Sequence, residues 1–371
     1  EVKGGPNTYP QPYLAAFHAD TGRWIDWWRP AVDGPVYNLQ ASDDGSRLFV
    51  GGEFTQVNGV GRNALVALDP VTAEIDTSWN TLISGGAPAI VRAFDLVNGD
   101  LYIAGEFTTI AFNNAQEPAA NVAKVNATTG VVDSGFKPLV DGGVWGVAAS
   151  PVMDRVYIAG FFDSVNGQAD RSDAAVLSKT TGVPVPGLYH LDNNNNLDYQ
   201  QDVVWADNKV FIGGSQHNVH VYDEATFDLI QSHMTRNGGD IQDMEVSPDG
   251  QRVYVSCHCW NFNYEFAGLQ TWSTPDPNST QYPVRGVYAI DAATGMQDPG
   301  FFVDMTGQAG PWGIHVNESD GCLWLGGDMT TANNGVPINR LVRFCDSAGA
   351  RPAAGPQLTP PAPVSCTATV S

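Results

Sequence analysis

Apolar and polar residues alternate along this chain in short runs, the period-two pattern of β-strands, and one such run keeps returning. It reads RLFVGGEF at 47–54, DLYIAGEF at 100–107, RVYIAGFF at 155–162, KVFIGGSQ at 209–216, RVYVSCHC at 252–259 and CLWLGGDM at 322–329. A second apolar segment precedes these copies, as in VYNLQAS, VWGVAAS, IQDMEVS and WGIHVNE, often followed by a turn containing Asp and Gly (SDDGS, SPDGQ, NESDG). Downstream come a polar loop, a third alternating strand with its turn (ALVALDPVTAE, NVAKVNATTGV, GVYAIDAATGM) and a closing element (IDTSWN, VDSGFK, QDPGFF).

Four short strands per unit predict an all-β chain, a β-propeller of four-stranded antiparallel blades. One such blade cannot bury both of its faces, so the copies must stack on one another. The small pair at Gly51-Gly52 and Ala104-Gly105 is expected where backbones approach closely, with the apolar triplet before it packed between sheets. Residues 1–30 align with QVNGVGRNALVALDPVTAEIDTSWN, so the chain opens on the second half of a unit. Counting that half copy predicts seven blades, the first truncated at its N-terminus. Six blades closed by the Trp24 to Trp28 segment are the alternative.

The units resemble the delta-60 repeat family of β-propellers, whose copies read roughly V-GG-F-x-x-V-N-G, then a strand, then D-x-S-F. GGEFTQVNG with DTSWN and AGEFTTI with DSGFK carry the likeness, which runs from residue 1 to about 346. The resemblance implies the fold and a secreted bacterial multidomain protein, extracellular or at the cell surface. It implies no activity, because the family is a scaffold without a shared catalytic motif. Residues 347–364 read as a Pro- and Ala-rich linker. The last stretch, 365–371, reads as the start of a fibronectin-type or immunoglobulin-like module, so neighbouring domains of the same polypeptide are expected partners.

Composition narrows the partners. Eighteen Lys and Arg against 40 Asp and Glu give a formal charge of −22, which repels a phosphate backbone and argues against nucleic acid. No run is long and apolar enough for a membrane span, so direct membrane insertion is not expected. Among the five Cys, Cys322 and Cys345 face each other across a hairpin centred on Asn333-Asn334 and are expected to form a disulfide. Cys257 and Cys259 flank His258 with both sulfurs on one strand face and the imidazole on the other, open between a local bridge, packed thiols and a metal or redox site.

Candidate chemistry is sparse. Glu53, Glu106 and Asp328 share a repeat position, but Phe161, Ser215 and His258 interrupt any carboxylate ring, so each acid is expected to cap nearby backbone N–H groups. His217 and His220 form HxxH in a strand setting, where they point to opposite faces. DNNNNLD offers Asp192, Asn194, Asn196 and Asp198 as oxygen ligands for Ca²⁺, although the EF-hand pattern fails at Leu197 and Val203. The nucleophile, zinc-protease and phosphate-loop motifs are absent, which lowers an enzyme reading.

One loop is out of proportion: residues 260–284 carry Trp260, Phe262, Tyr264, Phe266, Trp272 and Tyr282. Aligning the inner strands places Tyr37, Trp145, Gln242 and Trp312 together near their entrance, with Arg92 and Asp243 one residue later. Trp260, Tyr264, Trp272, Tyr37, Trp145, Trp312, Arg92 and Asp243 therefore form the expected ligand-binding set, suited to stacking on sugar rings or gripping an extracellular protein. The leading expectation is a secreted or cell-surface binding and adhesion module for a glycan or protein. A propeller enzyme, such as a sugar dehydrogenase or polysaccharide lyase, and a structural subunit of a surface appendage are the alternatives.

Overall fold

The computed structural model describes residues 2–4, 7–19, 21–86, 88–187, 199–236, 239–268, 279–333, 335–345, 364–365 and 367–369. The chain divides into two compact units, Glu1–Leu191 and Asp192–Ser371. Both consist of propeller blades, that is, antiparallel sheets in which an inner strand pairs with the recurrent second strand and that strand with a third. In the first unit these are Val36–Ala41, Leu48–Gly52 and Leu65–Leu68; Ile90–Val97, Asp100–Glu106 and Val122–Asn126; and Gly143–Ala149, Val156–Phe161 and Ala174–Leu177. In the second they are Gln200–Ala206, Lys209–Gly214 and Asn218–Asp223; Ile241–Val246, Arg252–Cys257 and Val287–Asp291; and Met305–Val316, Leu323–Ala332 and Leu341–Cys345.

Period two explains the packing. Phe49, Leu65 and Ala67 point one way into a core shared with Val91, Phe94, Leu101 and Ile103 of the next sheet. Val50, Val66 and Leu68 point the other way, against Leu14, Trp28 and Val32. Strands buried on both faces have no polar side to spare, hence runs such as LVAL.

The small pair has two distinct jobs. A Cβ on Gly51 would sit 2.6 Å from a Val91 methyl and 2.8 Å from Phe94, so the first position is set by the neighbouring sheet. A Cβ on Gly52 would sit 2.1 Å from the Pro35 carbonyl oxygen, and Gly105, Gly160, Gly214 and Gly327 meet Ile90, Gly143, Tyr199 and Gly310 in the same way. The second position is thus dictated by the mouth of the blade's own inner strand.

That mouth is irregular in every one of these sheets. The inner strand breaks register there, skipping Tyr37, Arg92, Trp145, Gln201, Gln242 and Trp312, once in each of the first five sheets and as the last of three breaks in Met305–Val316. A β-bulge of this kind bends the strand and re-aims the extra side chain. Arg92 is therefore the repeat equivalent of Tyr37 and Trp145, not one residue beyond them.

Residues 260–284 depart from the expectation of a loop over that mouth. Phe262–Phe266 and Thr280–Pro283 pair with each other, and the first pairs with Leu229–Arg236, extending the preceding blade to six strands. At the other end of the chain, Thr367–Thr369 lies antiparallel to Leu341–Cys345, and Val364–Ser365 runs parallel to Phe301–Phe302. Part of the stretch read as a further module is thus seated as a strand on the last sheet. Cys322 and Cys345 are joined by a disulfide, and Cys257 is bridged to Cys259.

Candidate functional site: side chains presented by the bulges

In the unit Glu1–Leu191, three consecutive bulges bring Tyr37, Arg92 and Trp145 side by side. The Arg92 guanidinium carbon lies 5.2 Å from the centre of the Tyr37 ring and 5.3 Å from that of Trp145. Its Nε donates to Glu106 at 2.9 Å, closing an ion pair of 2.8 Å. The Tyr37 hydroxyl donates to Glu53 at 2.9 Å, and burial, then this bond and the charge behind it, hold the phenol above its ordinary pKa. Tyr37 and Phe161 remain exposed and Trp145 is half-buried. The result is a cation held between two aromatic faces, with two carboxylates at its edge, a surface that offers both flat apolar area and hydrogen-bond acceptors.

Glu53 and Glu106 therefore act differently from the backbone caps that their sequence position suggested. Each follows the small pair and reaches the bulged side chain of its own sheet. Asp328 does cap backbone, accepting from Ala309 at 2.7 Å and Gly310 at 2.6 Å.

In the unit Asp192–Ser371 the same end of the sheets carries different groups. Exposed Trp312 meets the His258 ring edge to face at 4.5 Å. His217 Nε2 lies 3.0 Å from Asp240, and the Tyr199 hydroxyl donates to the same carboxylate at 3.1 Å. Burial alone would raise the Asp240 pKa, but His217 and Tyr199 outweigh it and hold the carboxyl below the usual range. Burial, followed by the nearby Asp240 charge, pushes Tyr199 up to about 12. Burial also lowers His258, against the pull of Asp240 and Asp328. His217 carries φ of 60° in the tight turn between two strands, which frees its ring to reach Asp240. The HxxH pattern concealed that partnership, since His220 lies buried elsewhere against Ser232.

Trp260 stands near this end, its indole donating to the Gln308 carbonyl at 3.3 Å. Tyr264 does not join it, because it sits on the added strand opposite Met234. Asp243 is taken out of the candidate set by its own geometry. Its carboxylate accepts the Ile314 N–H of the next inner strand at 2.9 Å, and burial together with the Asp202 charge raises its pKa well above the carboxylate range. Trp272 and the Ca²⁺ candidates Asp192, Asn194, Asn196 and Asp198 lie outside the described residues. Among the described residues, no cluster of His, Cys, Asp and Glu has the makings of a metal site.

A cavity of about 400 Å³ lies at the opposite end of the strands, lined by Asp100, Tyr102, Lys124, Asp154 and Lys179. Its cations are engaged in the scaffold: Lys124 pairs with Asp133 at 2.6 Å and Lys179 donates to the Ser150 carbonyl at 2.6 Å.

Residues 46–71 match the family model of a domain of unknown function (DUF5122) described as a beta-propeller. No curated protein matches the chain. Solved structures similar to it include the Pan2 WD40 domain of Neurospora crassa, at 13% identity and TM-score 0.47, covering 79% of this chain and 75% of that one. Kuenenia stuttgartiensis hydrazine synthase is similar at 14% identity and TM-score 0.48, with 79% and 74% covered.

Proposed function

We infer that this chain is a binding module whose ligand, a glycan or an extracellular protein, is engaged at the end of the sheets where the bulged side chains emerge. The observation that carries the reading is the repeated bulge. A scaffold has no need to break register at the same place in each sheet, whereas a binding surface gains a row of re-aimed side chains from doing so. A glycan is favoured because the Tyr37–Arg92–Trp145 stack sets flat faces beside Glu53 and Glu106, which can accept sugar hydroxyls. The two disulfides support an oxidising, extracellular setting.

The test is retention of the chain on a panel of polysaccharides, with and without Ca²⁺, for the parent and for Trp145→Ala. Retention weakened about fivefold or more by the substitution is expected, since stacking an aromatic ring is worth about 1 kcal/mol or more. Parent retention that Trp145→Ala leaves unchanged would remove this surface from consideration. The His217–Asp240 pair beside His258 favours a second reading, an enzyme with a general base. Turnover of a retained polysaccharide that His217→Ala abolishes would establish it.

A further inference from the structure

The first residue of the recurrent second strand is a cation in four copies, Arg47, Arg155, Lys209 and Arg252, and an acid in one, Asp100. Alternation sets this residue on the same face as the buried aromatic two positions on, Phe49, Tyr102 or Tyr254 among them.

The arginines show what the position does. Arg47 Nε lies 2.5 Å from Asp76, and Arg252 Nε donates to Asp298 at 2.9 Å, so each bonds the aspartate of its own closing element. Arg252 also bonds the Tyr254 side chain. One guanidinium thus serves a carboxylate and a phenol together, through separate N–H groups.

In the second copy the same partners stand without an arginine. Tyr102 takes the place of Tyr254 and is 1% exposed, yet among the described residues its hydroxyl has no hydrogen-bond partner. A buried polar group left in this way is costly. The closing aspartate, Asp133, is instead paired with Lys124 at 2.6 Å. Lys124 faces Tyr102 across the ladder, where Ala67 faces Phe49 and Ala289 faces Tyr254. Asp100 lies 3.8 Å from the same ammonium, beyond hydrogen-bond reach, and its side chain is 41% exposed.

The cavity of about 400 Å³ opens at this point, lined by Asp100, Tyr102 and Lys124 from this sheet and by Val152, Met153 and Lys179 from the next copy. Lys124 and Lys179 are outnumbered by the carboxylates of Asp100, Asp133 and Asp154, so the surroundings stay net acidic. Asp100 and the Tyr102 hydroxyl are the groups left to bond.

We propose that this cavity binds a guanidinium group carried on a short apolar stem, the head bonding Asp100 and the Tyr102 hydroxyl and the stem lying along Val152 and Met153. The chemistry is the one the sister copies build from their own arginine. Planar N–H donors reach a carboxylate and a phenol at once, which the point charge of an ammonium does less well. The site lies at the end of the strands away from the bulges and stands independently of the reading of that surface.

The test is titration calorimetry of the whole chain with n-propylguanidinium and with n-propylurea, which has the same shape without the charge. Saturable binding of the guanidinium at or below about 1 mM is expected, with the urea weaker by about tenfold or more. Asp100→Asn should weaken guanidinium binding about tenfold, and Tyr102→Phe, which installs the residue found at Phe49, about threefold. Asp100→Arg supplies the group from within the chain and should abolish binding. A Gly-Arg-Gly peptide with blocked ends separates the sources: binding as tight as that of n-propylguanidinium assigns the cavity to an arginine side chain of a partner, and weaker binding assigns it to a free guanidine. Absence of saturable guanidinium binding would overturn the proposal. So would equal binding of n-propylurea, or binding that Asp100→Asn or Asp100→Arg leaves unchanged.

Discussion

In the unit Glu1–Leu191 neighbouring inner strands are tied by Asp95, whose carboxylate accepts the Ala149 N–H at 2.5 Å, while in Asp192–Ser371 the ties are Asp202 to Met244 at 2.8 Å and Asp243 to Ile314 at 2.9 Å. The mouth of the first unit holds a guanidinium between aromatic rings; that of the second holds imidazoles beside carboxylates. Beneath these differences the bulges fall in the same register. The repeat thus constrains backbone and apolar positions, because a sheet face must match its neighbour, and leaves polar positions to diverge sheet by sheet.

The divergence reaches the interior. The second unit buries a polar network on its six-stranded sheet: His220 bonds to Ser232 at 2.9 Å, His233 to the Gly295 carbonyl at 2.8 Å, and Asn263 to His233 at 3.1 Å and Gln297 at 2.6 Å. Glu265 accepts the Gln297 N–H there, and burial raises its pKa. Burial lowers His220 and His233 to about 4, with the His233 charge adding to the effect on His220.

Acid should therefore separate the units, and this is the largest effect expected. A histidine depressed in the folded state contributes stability above its unfolded pKa of 6.5, and that contribution is lost as pH falls toward 4. The loss is on the order of 3 kcal/mol per ring at the low end. Amide exchange followed from pH 7.5 to 4.5 should show Asn218–Asp223 and Leu229–Arg236 losing protection while Leu48–Gly52 keeps its own. Simultaneous loss in both units, or loss in the first unit ahead of the second, would break the comparison. His233→Gln should shallow the dependence.

Asp95 adds an opposite slope in the first unit, as the raised Asp243 and Glu265 do against the histidines within the second. Burial raises its pKa to about 6 despite the Ala149 bond. An acid raised in this way opposes folding above that value, and the opposition fades as pH falls from 6 toward 4. Asp95→Asn keeps an acceptor for Ala149 without the charge. It should stabilise the chain at pH 7.5 by on the order of 2 kcal/mol and flatten the response of the first unit between pH 6 and 4, as read from denaturant midpoints. A variant less stable at pH 7.5 would show that the ionised form is what holds the strands together.

How much of this was readable from residues alone follows the same division. Copies of RLFVGGEF mark the second strands because their pattern is apolar and set by packing, and the third strands follow from their turns. The bulges left no pattern of their own, since Tyr37, Arg92, Trp145, Gln201, Gln242 and Trp312 share no chemistry; Arg92 was accordingly misplaced by one residue. Their trace lies in the partner strand, where the second small residue makes room for the displaced carbonyl. Phe262–Phe266 misled for another reason. It buries Asn263 and Glu265 and turns Phe262 outward, the reverse of the usual apolar-in alternation, because His233 and Gln297 supply partners that distance in sequence conceals. Asp243 looked like a site residue because a carboxylate at a strand mouth gives no sign that a backbone N–H awaits it.

The smallest effect bears on what the first unit's mouth recognises. Arg92→Lys keeps the charge, and Lys can still reach Glu106, but it removes the flat guanidinium that lies between Tyr37 and Trp145. Partly exposed cation–π contacts are worth about 0.5–1 kcal/mol each, and the exposed ion pair little more, so global stability should move by under about 1 kcal/mol. Retention of a ligand that stacks on the rings should fall by about three- to tenfold, because the two aromatic rings lose the flat cation that packs against both. A change at the mouth of the second unit, His258→Gln, should leave that retention unaltered. If both substitutions weaken retention equally, the ligand reads both mouths alike and the chemical contrast between the units does not govern recognition. If Arg92→Lys alone does so, the aromatic-cation stack is the recognition element and the histidine mouth serves another purpose.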